Sequence, residues 1–170
     1  MQASNLQLDH YYLEELHFAL NERYGPESME REVPLHAQDV NVTIEVGQNP
    51  DNELEWLFRL KIVLDDVDAK FPYDFRVRLL GYFVVSKECE PTMREQLATI
   101  NGPSILYGAA REILAIASAR SRFVSIFLPP VRFFGLTKEQ SPSVEQKALP
   151  SAKPEPITTK RKTKKAARKK

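Results

Sequence analysis

The sequence predicts a four-stranded antiparallel meander followed by one long packing helix, with a disordered basic tail behind them. Three observations predict it. Between residues 13 and 85, apolar and polar residues alternate with period two in four separate runs. From Asn101 to Ser118 the period changes to that of a helix. Beyond Phe134 the chain turns to Pro, Lys, Ser and Thr, without aromatic residues.

Residues 1–10 are polar and are expected to fray. In "LEELHFALN", Leu16, Phe18 and Leu20 fall on one face, with His17 and Ala19 on the other. In "DVNVTIEV", Val40, Val42, Ile44 and Val46 alternate with Asp39, Asn41, Thr43 and Glu45, and "GQNPD" supplies a turn. The run "ELEWLFRLKIVLDD" repeats the pattern through Leu54, Trp56, Phe58, Leu60, Ile62 and Leu64. "YDFRVRLLGYFVV" does so with Tyr73, Phe75, Val77 and Leu79, and Gly81 reads as a bulge. Four long strands joined by short connections imply an antiparallel meander.

"EPTMREQLATI" reads as a short helix, and "NGPSILYGAAREILAIAS" as a separate long one. Pro103 suits the first turn of that helix, where a missing N–H costs nothing, with Asn101 or Ser104 as cap. Leu106, Ala110, Ile113 and Ala117 form one stripe, which Ile105, Ala109 and Ile116 widen. The other side carries Ser104, Gly108, Arg111, Ala115 and Ser118, and is small rather than charged. Such a helix asks for cover on two sides. The sequence offers no other long helix to be the second layer, so an oligomer in which a partner subunit sandwiches it is expected.

Composition narrows the function. The chain has 170 residues, 42% of them hydrophobic and 28% charged, which suits one globular domain. No apolar run approaches the ~20 residues needed to cross a bilayer. "MQASNLQLDHYY" lacks the basic and apolar regions of a secretory signal, and the single Cys89 excludes an internal disulfide, so a cytoplasmic location is expected. Residues 137–170 carry eleven Lys or Arg against three Glu, a net of +8, whereas residues 1–136 carry 13 basic and 20 acidic residues, a net of −7. The polybasic end, with Lys160, Arg161, Lys162, Lys164 and Lys165, reads either as a solvated tail or as a weak, salt-sensitive contact for a polyanion such as nucleic acid.

Catalysis finds no support in the sequence. His10, His17 and His36 are isolated, without metal-ligand spacing, and read as surface or structural residues. "DDVDAK" lacks the glycine and the terminal glutamate of a calcium loop. There is no Gly-rich phosphate loop and no nucleophile elbow, so no cofactor and no enzyme is expected.

"GPSILYGAAREIL", followed by "ARSRF" and "FLPPVRF", resembles the signature of the SecB family of protein-export chaperones. Pro103, Ile105, Leu106, Tyr107, Ala110, Arg111 and Glu112 match its P-x-I-L-[FY]-x-x-A-R-E helix. Arg120 and Phe123 match the turn that follows, and Leu128, Pro130, Val131 and Phe133 the segment after it. Ser121 stands where that turn usually has glycine, Arg132 where Asn or Asp is typical, and Ser141-Pro142 interrupts the family's second helix.

The resemblance covers a domain over 11–136 and implies an α+β fold, assembled as a dimer of dimers. It implies that unfolded or precursor polypeptides are held in apolar grooves without ATP and passed to the SecA translocase motor. Carried over by strand, Val40, Val42, Ile44, Phe75, Val77 and Leu79 would line that groove or a subunit interface. Ser104, Gly108, Arg111 and Ala115 would form the helix interface, and Glu15 would touch the motor, although Ala19 and Arg76 replace two of the family's acids there. Two alternatives stay open: a chaperone dedicated to one partner such as an antitoxin, and a nucleic-acid- or ribosome-associated protein acting through its tail.

Overall fold

A computed structural model describes residues 4–25, 34–66, 70–121, 123 and 125–134. Strands β1 (Leu6–Leu20), β2 (Asn41–Asn49), β3 (Asn52–Leu64) and β4 (Tyr73–Val85) form one antiparallel sheet, and helix α1 (Pro91–Ser118) covers one side of it. The expected α+β arrangement of four strands and a long helix is what the chain adopts.

The order of the strands is β1-β4-β3-β2, which corrects the simple meander. Strands β2, β3 and β4 follow one another as hairpins, the first closed by Asn49, whose side chain accepts the Asp51 N–H at 3.0 Å. The stretch from residue 21 to residue 40 is too long to force a hairpin between β1 and β2. Strand β1 pairs instead along the open edge of β4. Asn21 pins the corner: its N–H donates to the Pro72 carbonyl at 2.9 Å and its side-chain amide to Asp66 at 3.2 Å.

Strand β1 begins at Leu6, ahead of the domain boundary read at residue 11, and Leu6 is buried. From Leu6 on, the expected fraying of residues 1–10 fails because the strand pairs with β4, and two register shifts, between Leu8 and His10 and between Leu13 and Glu15, rephase it; residues 1–3 lie outside the described residues. Each bulge adds one residue, so the apolar positions run Leu6, Leu8, then Tyr11, Leu13, then Leu16, Phe18, Leu20, all paired to residues of β4 that face α1. Gly81 is not a bulge. It pairs in register with Tyr11 and Phe58.

Helix α1 is continuous from Pro91, and the short helix and the long one are a single element. Pro91, not Pro103, occupies the first turn. Pro103 lies inside the helix, where it removes one backbone bond and typically costs about 3 kcal/mol. Burial over the sheet outweighs that cost. The buried side of α1 is Ala98, Thr99, Gly102, Pro103, Leu106, Tyr107, Ala110, Leu114 and Ser118, and Ile105 and Ile116 point away from the core instead of widening it. Arg94 fixes the helix start by donating to the Cys89 and Lys87 carbonyls and pairing with Glu53.

Candidate binding surfaces

The sheet has two faces of opposite character, and register assigns every residue to one of them. On the α1 side lie Trp56, Phe58, Leu60, Ile62 and Leu64 of β3, with Tyr73, Phe75, Val77, Leu79, Gly81, Phe83 and Val85 of β4. These two central strands make the core under the helix. Phe75, Val77 and Leu79 are 1%, 1% and 0% exposed, so they are core of the single chain and line no open groove or interface. Period-two alternation marks a buried face; it does not say what buries it. Here α1 does.

Val40 is likewise buried, but Val42 and Ile44 on edge strand β2 are only half-buried, as is Val46. On the opposite edge, Tyr11, Leu13, Leu16 and Leu20 of β1 are 42–48% exposed although they lie on the core side of the sheet. Helix α1 therefore leaves an apolar strip along each edge of the sheet. Among the described residues each edge strand is paired on one side only, so its outer N–H and C=O groups face outward. Sequence reading put Leu16 and Leu20 on one strand face but missed the continuation through Leu13 and Tyr11, because a bulge at Glu14 breaks the periodicity.

Ser104, Gly108 and Arg111 are exposed on the outer side of α1 and Ala115 is half-exposed, so this small face is open in the single chain. A Cβ at Gly108 would meet nothing within 4 Å. Residues 125–134 run back along the helix. The Ser118 hydroxyl donates to Leu114 at 2.7 Å and accepts the Ile126 N–H at 2.8 Å, which starts the segment at the helix end. Tyr107 donates its hydroxyl to the Pro129 carbonyl at 2.7 Å and packs edge-on against Phe133, which fixes the segment higher up. Burial pushes the Tyr107 phenol above its ordinary pKa, and the nearby Arg111 charge opposes this. Ile126 and Leu128 are buried, whereas Phe127 and Phe134 are exposed. Ser121, where glycine was the expected type, shares a hydrogen bond with the Tyr73 hydroxyl.

The face away from α1 is charged at its centre. Arg59 donates to Glu14 and Glu45, both at 2.9 Å; these two bonds raise its pKa further, against a lowering by partial burial. Glu15 accepts Arg76 at 3.3 Å and Arg78 at 3.1 Å, so the carboxylate expected to meet a motor is already held by two guanidinium groups. His10 stacks on Tyr82 with ring centroids 4.5 Å apart, beside Tyr12. Among the described residues no group of three or more candidate metal ligands comes together, and no helix is long and apolar enough to cross a membrane. Lys160, Arg161, Lys162, Lys164 and Lys165, together with the Ser141-Pro142 interruption, lie outside the described residues.

The chain as a whole is similar to known proteins. Residues 1–143 match the family model described as preprotein translocase subunit SecB. The protein-export protein SecB of Rhodopseudomonas palustris (strain TIE-1) is 29% identical over 113 residues, which is 66% of this chain and 71% of that protein. Among solved structures, a Mycobacterium tuberculosis SecB-like chaperone in complex with an antitoxin peptide aligns with a TM-score of 0.45 at 15% identity, covering 75% of this chain and 91% of the other. A Streptococcus agalactiae protein of unknown function aligns at 0.41 and 12% identity, covering 74% and 98%.

Proposed function

Because this chain belongs to the SecB family, a family of preprotein translocase subunits, we propose that it is a nucleotide-independent holdase chaperone that keeps precursor and other non-native polypeptides extended for export. The observation that carries this reading is the pair of apolar strips that, among the described residues, are left uncovered beside unpaired strand edges. An unfolded segment is itself a strand without a partner. Laid along β2, it would pair with the outward N–H and C=O groups and rest alternate apolar side chains against Val42, Ile44 and Val46. Affinity would accrue at about 25 cal/mol per Å² of apolar surface covered, less the ordering cost of the client. Backbone pairing and apolar burial are indifferent to sequence, as a broad client range requires.

The β1 strip and the small face of α1 suit a second copy of the chain. Tyr11, Leu13, Leu16 and Leu20 are too many apolar residues in a row to leave to water, and Ser104, Gly108 and Ala115 allow a close approach of another layer. On this reading, assembly uses β1 and α1 while β2 stays open to the client, and a dimer of dimers provides several such edges. Hand-over to the SecA motor through Glu15 is not part of the reading, since that carboxylate is engaged by Arg76 and Arg78.

Suppression of aggregation tests the reading. At several-fold excess and without nucleotide, the protein is expected to keep chemically denatured, slow-folding clients of unrelated sequence soluble on dilution. No suppression for any of them would reject the holdase. Suppression for one client alone would point to a dedicated partner instead.

A further inference from the structure

The sheet face away from α1 plays no part in the client holding proposed above. Register lays one row straight across its middle: Thr43 of β2, Lys61 of β3, Arg78 of β4 and Glu15 of β1. Lys61 and Arg78 are direct cross-strand neighbours, and like charges so placed repel. The local carboxylates relieve this only on the Arg78 side. Glu14 and Glu45 are both taken up by Arg59, and Glu15 is shared between Arg76 and Arg78. Among the described residues no carboxylate pairs with the Lys61 ammonium. Further out, Asp74 accepts the Asp66 N–H, and Glu55 accepts from Asn49 and Asn52.

A cavity of about 640 Å³ opens at this row, lined by Glu14, Thr43, Glu45, Arg59, Lys61 and Arg78. The centre of this face thus sets Arg59, Lys61, Arg76 and Arg78 against three carboxylates, a local positive surplus in residues 1–136 whose net charge is −7. Beside it, Tyr12 is exposed and Tyr82 is half-exposed, offering apolar footing next to the charge.

We propose that this face docks an acidic polypeptide segment of a partner protein, with a carboxylate of that segment seated between Lys61 and Arg78. Charge complementarity selects the occupant. One carboxylate placed there removes the Lys61–Arg78 repulsion and supplies Lys61 with a partner, and the Thr43 hydroxyl is at hand to donate a hydrogen bond. A basic segment would meet the surplus cations, because the local acids are already held. A nucleic acid would carry a continuous run of phosphates past Glu14 and Glu45, whereas a peptide with spaced carboxylates can avoid them. An apolar neighbour in the same segment would rest on Tyr12 or Tyr82.

The test uses the full-length protein and a fluorescent ten-residue peptide of alternating glutamate and serine, read by anisotropy at low and at moderate salt. Because the polybasic tail would also attract this probe, a full-length variant with Lys160, Arg161, Lys162, Lys164 and Lys165 changed to Gln serves as the background. The peptide is expected to bind that background, to weaken as salt is added, and to lose about ten-fold in affinity on Lys61→Glu. Lys61→Glu sets a carboxylate opposite Arg78, so it is expected to fold; urea unfolding verifies this, and Lys61→Gln gives the same ordering with a smaller loss. The proposal is overturned if the tail-neutralised protein does not bind, or if Lys61→Glu leaves binding unchanged. It is also overturned if a lysine–serine peptide binds equally, or if a single-stranded oligonucleotide displaces the probe as well as unlabelled peptide does. A fall in oligomer mass with Lys61→Glu would assign the face to a second copy instead.

Discussion

Leu106 of α1 sits directly on Gly81 of β4: a Cβ at Gly81 would lie 2.7 Å from the Leu106 Cδ2 and 2.8 Å from the Phe83 ring. The contact is reciprocated one helical turn away. Phe58, the cross-strand partner of Gly81, rises against Gly102, where a Cβ would lie 2.6 Å from its ring. Each layer thus gives up a side chain where the other inserts one, and this sets how close α1 approaches the sheet.

Gly81→Ala is therefore expected to destabilise the chain by about 1–3 kcal/mol through overpacking, although alanine suits a strand better than glycine. Leu106→Ala is expected to cost about 2–5 kcal/mol through the cavity it leaves. Combined, they should cost less than their sum, because the new methyl enters the space that Leu106 vacates. Urea unfolding of the four proteins checks this; strict additivity would deny the contact.

At Gly102 two effects of opposite sign compete. Alanine gains about 1 kcal/mol in intrinsic helix propensity but must displace the buried Phe58 ring, at about 1–3 kcal/mol. The ring is held between β-sheet and helix, with Trp56 and Phe83 against it. The clash should win, and Gly102→Ala is expected to unfold at lower urea than the parent.

Tyr107 gives an alkaline signature. Its phenol is held protonated above the ordinary value by burial, so the folded chain binds its proton more tightly than the unfolded chain does. The stability this contributes is complete below the unfolded pKa of about 10 and is lost as pH rises through the higher folded value. Tyr107→Phe should cost about 1 kcal/mol at neutral pH, from the lost bond to Pro129, and should flatten the decline above pH 10. Urea midpoints at pH 7 and in steps above pH 9.5 measure both effects.

Gly108 isolates assembly from folding. With nothing within 4 Å of its Cβ, Gly108→Glu is expected to leave the fold intact and to gain slightly in helix propensity. If the outer face of α1 meets a second copy, the buried charge should lower the mass seen by light scattering. An unchanged mass would remove that face from the interface.

The extent to which the sequence revealed this molecule follows from where its periodicity is unbroken. Strands β2, β3 and β4 alternate without interruption across their core-facing positions, and they lie where alternation put them. Strand β1 shifts phase at Asp9 and Glu14, so its first half looked like a frayed end and only the Leu16–Leu20 part of its strip was visible. Pro103 suggested a helix start because local propensity opposes an interior proline, and only burial against the sheet overrides it. Phe75, Val77 and Leu79 show the remaining limit: alternation reports that a face is buried, and the tertiary position of α1 decides that the cover comes from within the chain. The helix face at Ser104 and Gly108 was legible for the same reason that it is open: it carries nothing large enough to pack.

Hydrogen exchange of the protein with and without a permanently unfolded, carboxymethylated client, in the absence of nucleotide, tests the central claim most directly. The account expects a stable complex in which the outward-facing amides of β2, between Asn41 and Asn49, gain protection while those of β3 and β4 do not change. A client that migrates separately from the protein, or a complex that leaves the β2 amides unprotected, would contradict it.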